Sequence, residues 1–197
     1  VRRARDAGLR VVLVGADKDL LQLVGDDVVM YDSMYERLFG PAETVKKMGV
    51  PPAQVRDYLA LVGDTSDNVP GVPKVGPKTA ARLLEAHGDL DGVYDHLDEV
   101  TKKSVRAALE AHRDEAFLSR ELVTLLDDLP EELDLGALAY TGGDEARLRA
   151  LLRELEMTRL LEQLDARAGS EPLPEAKAVV AEPVTTADGP APPAQAA

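Results

Sequence analysis

Cysteine and tryptophan are absent from these 197 residues, and phenylalanine occurs only twice. Without cysteine there can be no disulfide, no thiolate zinc site and no cysteine nucleophile. That lack also fits a reducing compartment. Aromatics make up 4% of the chain against 45% apolar residues, so a core must be built from Leu, Val and Ala. No apolar run approaches the roughly 20 residues of a membrane-spanning helix, and no signal-peptide pattern is visible. Basic residues are also in the minority, 23 against 36 acidic, for a net charge of −13. Taken alone, that balance argues against a nucleic-acid partner, but its distribution weakens the argument. Residues 128–197 hold 14 acids and 6 bases, whereas residues 1–127 hold 22 and 17. Binding DNA needs a local basic face, not a basic chain.

The length suits one ordinary domain and a tail. Residues 1–7 read as the end of a helix stopped by Gly8, and Arg10–Val14 as a buried, β-branched strand. A helix end feeding a strand belongs inside an α/β domain, so upstream sequence is expected. Asp17–Val24 reads as a short helix opening on acids, and Val28–Tyr31 as a second strand. Pro41 opens a helix to Met48 that Gly49 closes. Pro51 and Pro52 open another, with Val55, Tyr58, Leu59 and Val62 on one face. A polar turn, Gly63–Asn68, and a Pro/Gly-rich stretch, Val69–Gly76, follow. Helical patterns then cover 77–87, 90–97, about 102–127, about 144–154 and 157–165. The Ala/Pro-rich segment 167–197 lacks periodicity and reads as a linker.

Three motifs carry chemistry. Gly15-Ala16-Asp17-Lys18-Asp19 follows the first strand directly, where ligands collect in α/β sheets. Its two carboxylates can reach one cation, or Asp17 can simply cap the next helix with Asp19 in its first turn. In Gly63-Asp64-Thr65-Ser66-Asp67-Asn68, a single turn puts Asp64 and Asp67 on one side, as oxygen ligands for a hard divalent ion. The same residue types also favour a plain capping loop. The third motif, Val69-Pro70-Gly71-Val72-Pro73-Lys74-Val75-Gly76-Pro77-Lys78-Thr79-Ala80, lies between two helices and predicts a helix–hairpin–helix, the alternative being a tight turn between packed helices. Its glycines let backbone amides approach a phosphate, the next helix adds its positive dipole end, and Lys74, Lys78 and Arg82 add charge. Lys102, Lys103 and Arg106 open a later helix, as either a second phosphate-contacting patch or a solvated face.

In this order the motifs closely resemble the 5′-nuclease domain at the front of bacterial DNA polymerase I, in the flap-endonuclease superfamily, from about residue 8 to residue 165. The resemblance implies an α/β fold, a PIN-like sheet remnant over about 1–50, followed by a mostly helical DNA-binding region over 51–166. It implies Asp17, Asp19, Asp64 and Asp67 as metal ligands for Mg²⁺ or Mn²⁺, and a K⁺ ion at the hairpin. Gly71, Val72, Lys74, Val75, Gly76, Lys78, Thr79 and Arg82 become the DNA-binding set, and His87, His96 and His112 are left outside the site. The implied reaction is hydrolysis of a phosphodiester near a 5′ end, nick or flap, by two metals, in a monomer that contacts DNA without sequence preference in the bacterial cytoplasm, at the nucleoid. Gly15-Ala16 replaces the family's usual Thr-Gly, a change expected to matter little. Further metal carboxylates of the family lie on earlier strands, so this stretch holds at most half a catalytic site and is expected to be nearly inactive alone. Two alternatives stay open: a stand-alone flap endonuclease, and a non-catalytic hairpin module. Retention of four aspartates speaks against the module, and the linker-like tail favours further polymerase domains.

Overall fold

The structure is a computed structural model that describes residues 1–126, 129, 134–140 and 142–168. The chain divides into two compact units, Val1–Leu135 and Gly136–Ala197. The first combines a small sheet with a mostly helical region. A short helix, α1 (Arg2–Asp6), precedes β1 (Val11–Val14); β2 (Val28–Asp32) and β3 (Arg37–Phe39) complete a sheet in the order β1-β2-β3. β1 and β2 are parallel, β2 and β3 antiparallel.

Three local expectations change here. The strand at Arg10–Val14 reads as buried, yet Val12 and Val14 are 57% and 69% exposed while Leu13 packs against the core. A β-branched run gives the same signal whether one or both faces are covered. β3 has no sequence signal, being only three residues long. It forms because Asp32 organises the turn before it, its Oδ1 accepting from the amides of Met34 (3.0 Å) and Tyr35 (3.3 Å). The segment after Asp17 is a 3₁₀ turn, Lys18–Leu23, not an α-helix.

The helices follow their sequence signals more closely. Proline in the first turn and left-handed Gly49 bound α2 (Pro41–Met48), and Pro52 opens α3 (Pro52–Val62). α3 buries more than one face: Val55, Asp57, Tyr58, Leu59, Ala60 and Leu61 are all buried. It runs through the middle of the unit, packed against the 3₁₀ turn and three of the helices that follow: α4 (Pro77–His87), α5 (Leu90–Asp95) and α7 (Arg113–Val123). Asp57 is tolerated there because it accepts the Leu90 amide at the start of α5 (3.3 Å) and pairs with Arg56 (3.2 Å). The predicted long helix at 102–127 is two helices, α6 (Lys103–Ala111) and α7, broken at His112. Neither Gly nor Pro marks the break. α7 turns so that Ala116, Ser119 and Val123 are buried, and packing along α3 outweighs the helical propensity of the sequence. Residue 127, the predicted end, is outside the described residues.

One hydrophobic cluster runs from Leu21 and Met30 through Leu61, Leu84 and Leu109 to Val123, without a break across residue 50. In the second unit α8 (Glu145–Glu154) and α9 (Thr158–Ala168) form a helical pair. Arg149 clips them together, bound to Glu145 at 2.7 Å and to Asp165. Most of the segment read as a linker, from 169 onward, lies outside the described residues. No helix among the described residues is long and apolar enough to cross a membrane.

Candidate functional site

At the end of β1, Gly15 prolongs the sheet by donating its amide to the Tyr31 carbonyl (3.0 Å). The chain then leaves the sheet, and Asp17 caps the 3₁₀ turn, one carboxylate oxygen accepting from the Asp19 amide at 2.9 Å. The second aspartate pair follows α3. Asp64 and Val69 exchange backbone hydrogen bonds of 2.9 and 2.7 Å, which close the polar loop between them. Asp64 Oδ1 accepts from the Ser66 amide (3.0 Å) and hydroxyl (2.8 Å). Both local capping readings therefore hold, and both leave further carboxylate oxygens for other work.

Lys18 joins the two loops: its ammonium lies 2.5 Å from Asp64 Oδ2, whose side chain is only 3% exposed. The loops lie close enough for charges on one to act on carboxylates of the other. Burial, then Asp17, Asp67 and Asp64, push the Asp19 carboxyl up. Asp67 is raised by the Asp64 carboxylate beside it. Asp64 moves the other way, down to about 2, because the Lys18 ammonium and then the Ser66 donors outweigh its burial.

This donor set fits a hard divalent cation. Asp19 Oδ1 is a buried oxygen with no hydrogen-bond partner, and buried Asp64 Oδ2 has only the Lys18 ammonium beside it, an arrangement that ordinarily costs free energy unless positive charge compensates. Lys18 supplies that charge at Asp64. Among the described residues no three carboxylates converge as a finished ligand shell.

The loop between α3 and α4 divides the predicted DNA-binding residues into two groups. Gly71, Val72 and Val75 are buried, and their amides are used internally, by Ser119 Oγ (3.0 Å), the Leu61 carbonyl (2.9 Å) and the Val72 carbonyl (3.1 Å). Lys74, Gly76, Lys78 and Arg82 are exposed and Thr79 half-buried. The amides of Lys74, Gly76 and Lys78 have no acceptor among the described residues. Lys74 adopts a left-handed backbone, φ +69°, a conformation that costs a lysine about 1–2 kcal/mol.

Of the second basic group, Lys102 and Lys103 are exposed at the start of α6, while Arg106 donates to the Asp98 carbonyl (3.2 Å). The histidines have structural partners: His87 and His96 stack with ring centroids 5.5 Å apart, and His112, at the α6–α7 break, pairs with Glu115 (3.3 Å). Sequence reasoning missed two residues of the site. Lys18 was visible between its aspartates as a built-in counter-charge. Ser119 carries no signal, since only the fold brings α7 to the Gly71 amide.

Residues 50–146 match the protein family described as 5′-3′ exonuclease, C-terminal SAM fold. DNA polymerase I of Rhizobium leguminosarum is 44% identical over 159 residues, covering 81% of this chain and 16% of the polymerase. The 5′-3′ exonuclease of Aquifex aeolicus is 39% identical over 158 residues, covering 80% of this chain and 53% of that protein. The chain thus spans about a sixth of the first relative and about half of the second. Among solved structures, bacteriophage T5 flap endonuclease in a pseudo-enzyme-product complex with DNA and metal ions aligns with a TM-score of 0.58 at 22% identity, over 62% of this chain and 46% of that one. T5 5′-exonuclease with bound zinc gives 0.55 at 24% identity, over 58% and 42%. At such identities the structural likeness speaks for the fold.

Proposed function

Because residues 50–146 match the 5′-3′ exonuclease family, we propose that the chain is the DNA-binding part of a divalent-metal-dependent 5′-3′ nuclease that acts on 5′ ends, nicks or flaps, within a DNA polymerase I. The observation that carries this reading is the meeting of two distant aspartate pairs around Lys18, in a chain whose relatives are DNA polymerases I and a 5′-3′ exonuclease. Asp17, Asp19, Asp64 and Asp67 would hold Mg²⁺ or Mn²⁺, which would supply an activated water and steady the leaving oxygen in phosphodiester hydrolysis. Asp17 also fixes the 3₁₀ turn, and Ser66 orients Asp64. Lys18 balances the buried charge. No side-chain nucleophile is needed.

The α3–loop–α4 segment is read as a helix–hairpin–helix, and the sheet as a PIN-like remnant. The open amides of Lys74, Gly76 and Lys78, the α4 N-terminus and the Lys74, Lys78, Thr79 and Arg82 side chains face phosphate, with a K⁺ ion at the hairpin. Gly71, Val72 and Val75 act from inside, holding the loop in shape. Such contacts bind branched or nicked DNA without base preference, in a monomer at the bacterial nucleoid. A stand-alone nuclease is the second reading, favoured by the Aquifex relative, of which the chain covers 53%.

Titration of a labelled nicked duplex tests the DNA-facing half. Lys74→Asn keeps a residue that tolerates the left-handed backbone but removes the charge. Lys74→Asn and Lys78→Gln should each weaken binding, lower the slope of log K against log salt by about one, and leave thermal stability unchanged. Salt-independent binding, or strong preference for one base sequence, would refute the assignment.

A further inference from the structure

Beyond the hairpin, α4 leads into a second hollow. A cavity of about 300 Å³ lies between α4 and the start of α6, and its wall includes Thr79, Arg82, His87, Glu99, Thr101 and Lys102. We propose that this hollow receives the phosphodiester backbone of the bound DNA, beyond the phosphates at the hairpin, with Arg82 and Lys102 as its charged contacts and the Thr79 and Thr101 hydroxyls as donors. The inference rests on the DNA-binding reading of the hairpin, which already includes Thr79 and Arg82, and extends it across the hollow to Thr101 and Lys102.

Helical geometry supplies the first argument. Thr79, Arg82 and Ala86 recur at the spacing of a single helix face, so the wall of the hollow is continuous with the turn that carries Lys78. α4 has 11 residues, about 16 Å at the rise of an α-helix. Phosphates of one strand recur about every 3.4 Å along a duplex axis. A backbone anchored at Lys78 and following α4 therefore carries further phosphates past Arg82.

The chemistry of the wall supplies the second. Its floor is fixed, because Leu83, Val100 and Val105 are buried. Arg82 and Lys102 are exposed at its rim, and neither side chain makes a hydrogen bond or ion pair among the described residues. Arg106 takes no part: its guanidinium donates to the Asp98 carbonyl (3.2 Å) and ties the short 3₁₀ turn Leu97–Glu99 to α6. Lys103 is not part of the wall. One carboxylate, Glu99, lines the same hollow and opposes an anion there. That opposition provides a variant whose effect has the opposite sign.

The experiment measures affinity for a nicked duplex between about 50 and 200 mM salt, with wild type, Lys102→Gln, Glu99→Gln and, as a hairpin reference, Lys74→Asn. Lys102→Gln should lower the salt slope by about one, and Glu99→Gln should tighten binding several-fold, a gain that misfolding cannot mimic. Wild-type binding weakened by Lys74→Asn but unaffected by the other two variants would overturn the second contact and leave the hairpin reading intact. Absence of any DNA binding would overturn both. Each titration is repeated with and without a 5′-phosphate at the nick. Effects confined to the phosphorylated duplex would show a pocket for a terminal phosphate and overturn the proposal of a backbone track.

Discussion

Replacing Gly71 by alanine should come close to unfolding the first unit. Gly71 has φ +64°, and a Cβ built on it would lie 2.4 Å from the Gly63 amide nitrogen, 2.6 Å from the Val62 carbonyl carbon and 2.7 Å from Gly63 Cα. These are backbone atoms of the last turn of α3, so no side-chain rotation relieves the contact. The reverse view agrees: a Cβ on Gly63 would lie 2.8 Å from the carbonyl oxygens of Val69 and Pro70. The two glycines let the loop pass directly over the end of α3. Forcing them apart would break the Gly71–Ser119 and Val72–Leu61 hydrogen bonds and lift Val69, Val72 and Val75 from the core. Backbone strain and overpacking together should cost about 3–5 kcal/mol, much of the 5–15 kcal/mol that ordinarily separates folded from unfolded. Gly76→Ala is the control, since a Cβ there meets nothing within 4 Å and φ is negative, −92°. Thermal melts should show Gly71→Ala far below wild type and Gly76→Ala close to it. A Gly71→Ala protein that melts like wild type would mean that the loop does not sit on α3 in this way.

The second large effect separates two aspartates that look equivalent in sequence. Both Asp64 and Asp67 belong to a polar turn, where loss of a carboxylate is expected to leave the metal-free fold unharmed. The structure distinguishes them: Asp64 is buried and bound to Lys18 and Ser66, while Asp67 is exposed. Asp64→Asn should therefore cost about 1–2 kcal/mol without metal, since it leaves the Lys18 charge without its partner. Asp67→Asn should be neutral or slightly stabilising, since it removes repulsion from Asp64. The pH dependence has a definite sign. The Asp64 carboxyl is lowered in the folded state to about 2, so its stabilisation is full above the ordinary value of 3.8 and is lost as pH falls from there through about 2. Asp64→Asn should flatten the melting temperature over that range. Both substitutions should weaken divalent-metal binding, each removing an anionic ligand. Melts with and without Mg²⁺ across pH separate the roles. Equal effects of the two substitutions on metal-free stability would contradict the geometry.

How much of this was legible depended on how local the cause was. Pro41, Pro52 and Pro77 at helix starts, and Gly49 and Gly63 at helix ends, are local signals, and α2, α3 and α4 lie where those residues put them. The Asp-Lys-Asp and Gly-Asp-Thr-Ser-Asp-Asn segments stand out by composition, and the turns they form obey the capping rules. What escaped is long-range. His112 breaks a helix because α7 must lie along α3, and Ser119 matters because α7 carries it to the Gly71 amide. The exposed valines of β1 follow from the sheet having one covered face. Gly71 was legible as a glycine that permits close approach, but the backbone that approaches it is α3.

The most direct measurement of the central claim is a titration of the ¹⁵N-labelled protein with Mn²⁺, whose paramagnetism broadens amides near the bound ion. If the two aspartate pairs form one metal site, amides of residues 15–20 and 63–68 should broaden together at low Mn²⁺. Excess Mg²⁺ should reverse the effect, and Asp19→Asn should weaken it in both segments. Broadening of one segment without the other, or first on acidic surfaces elsewhere while these two segments stay sharp, would contradict a shared site and leave the four aspartates as capping residues.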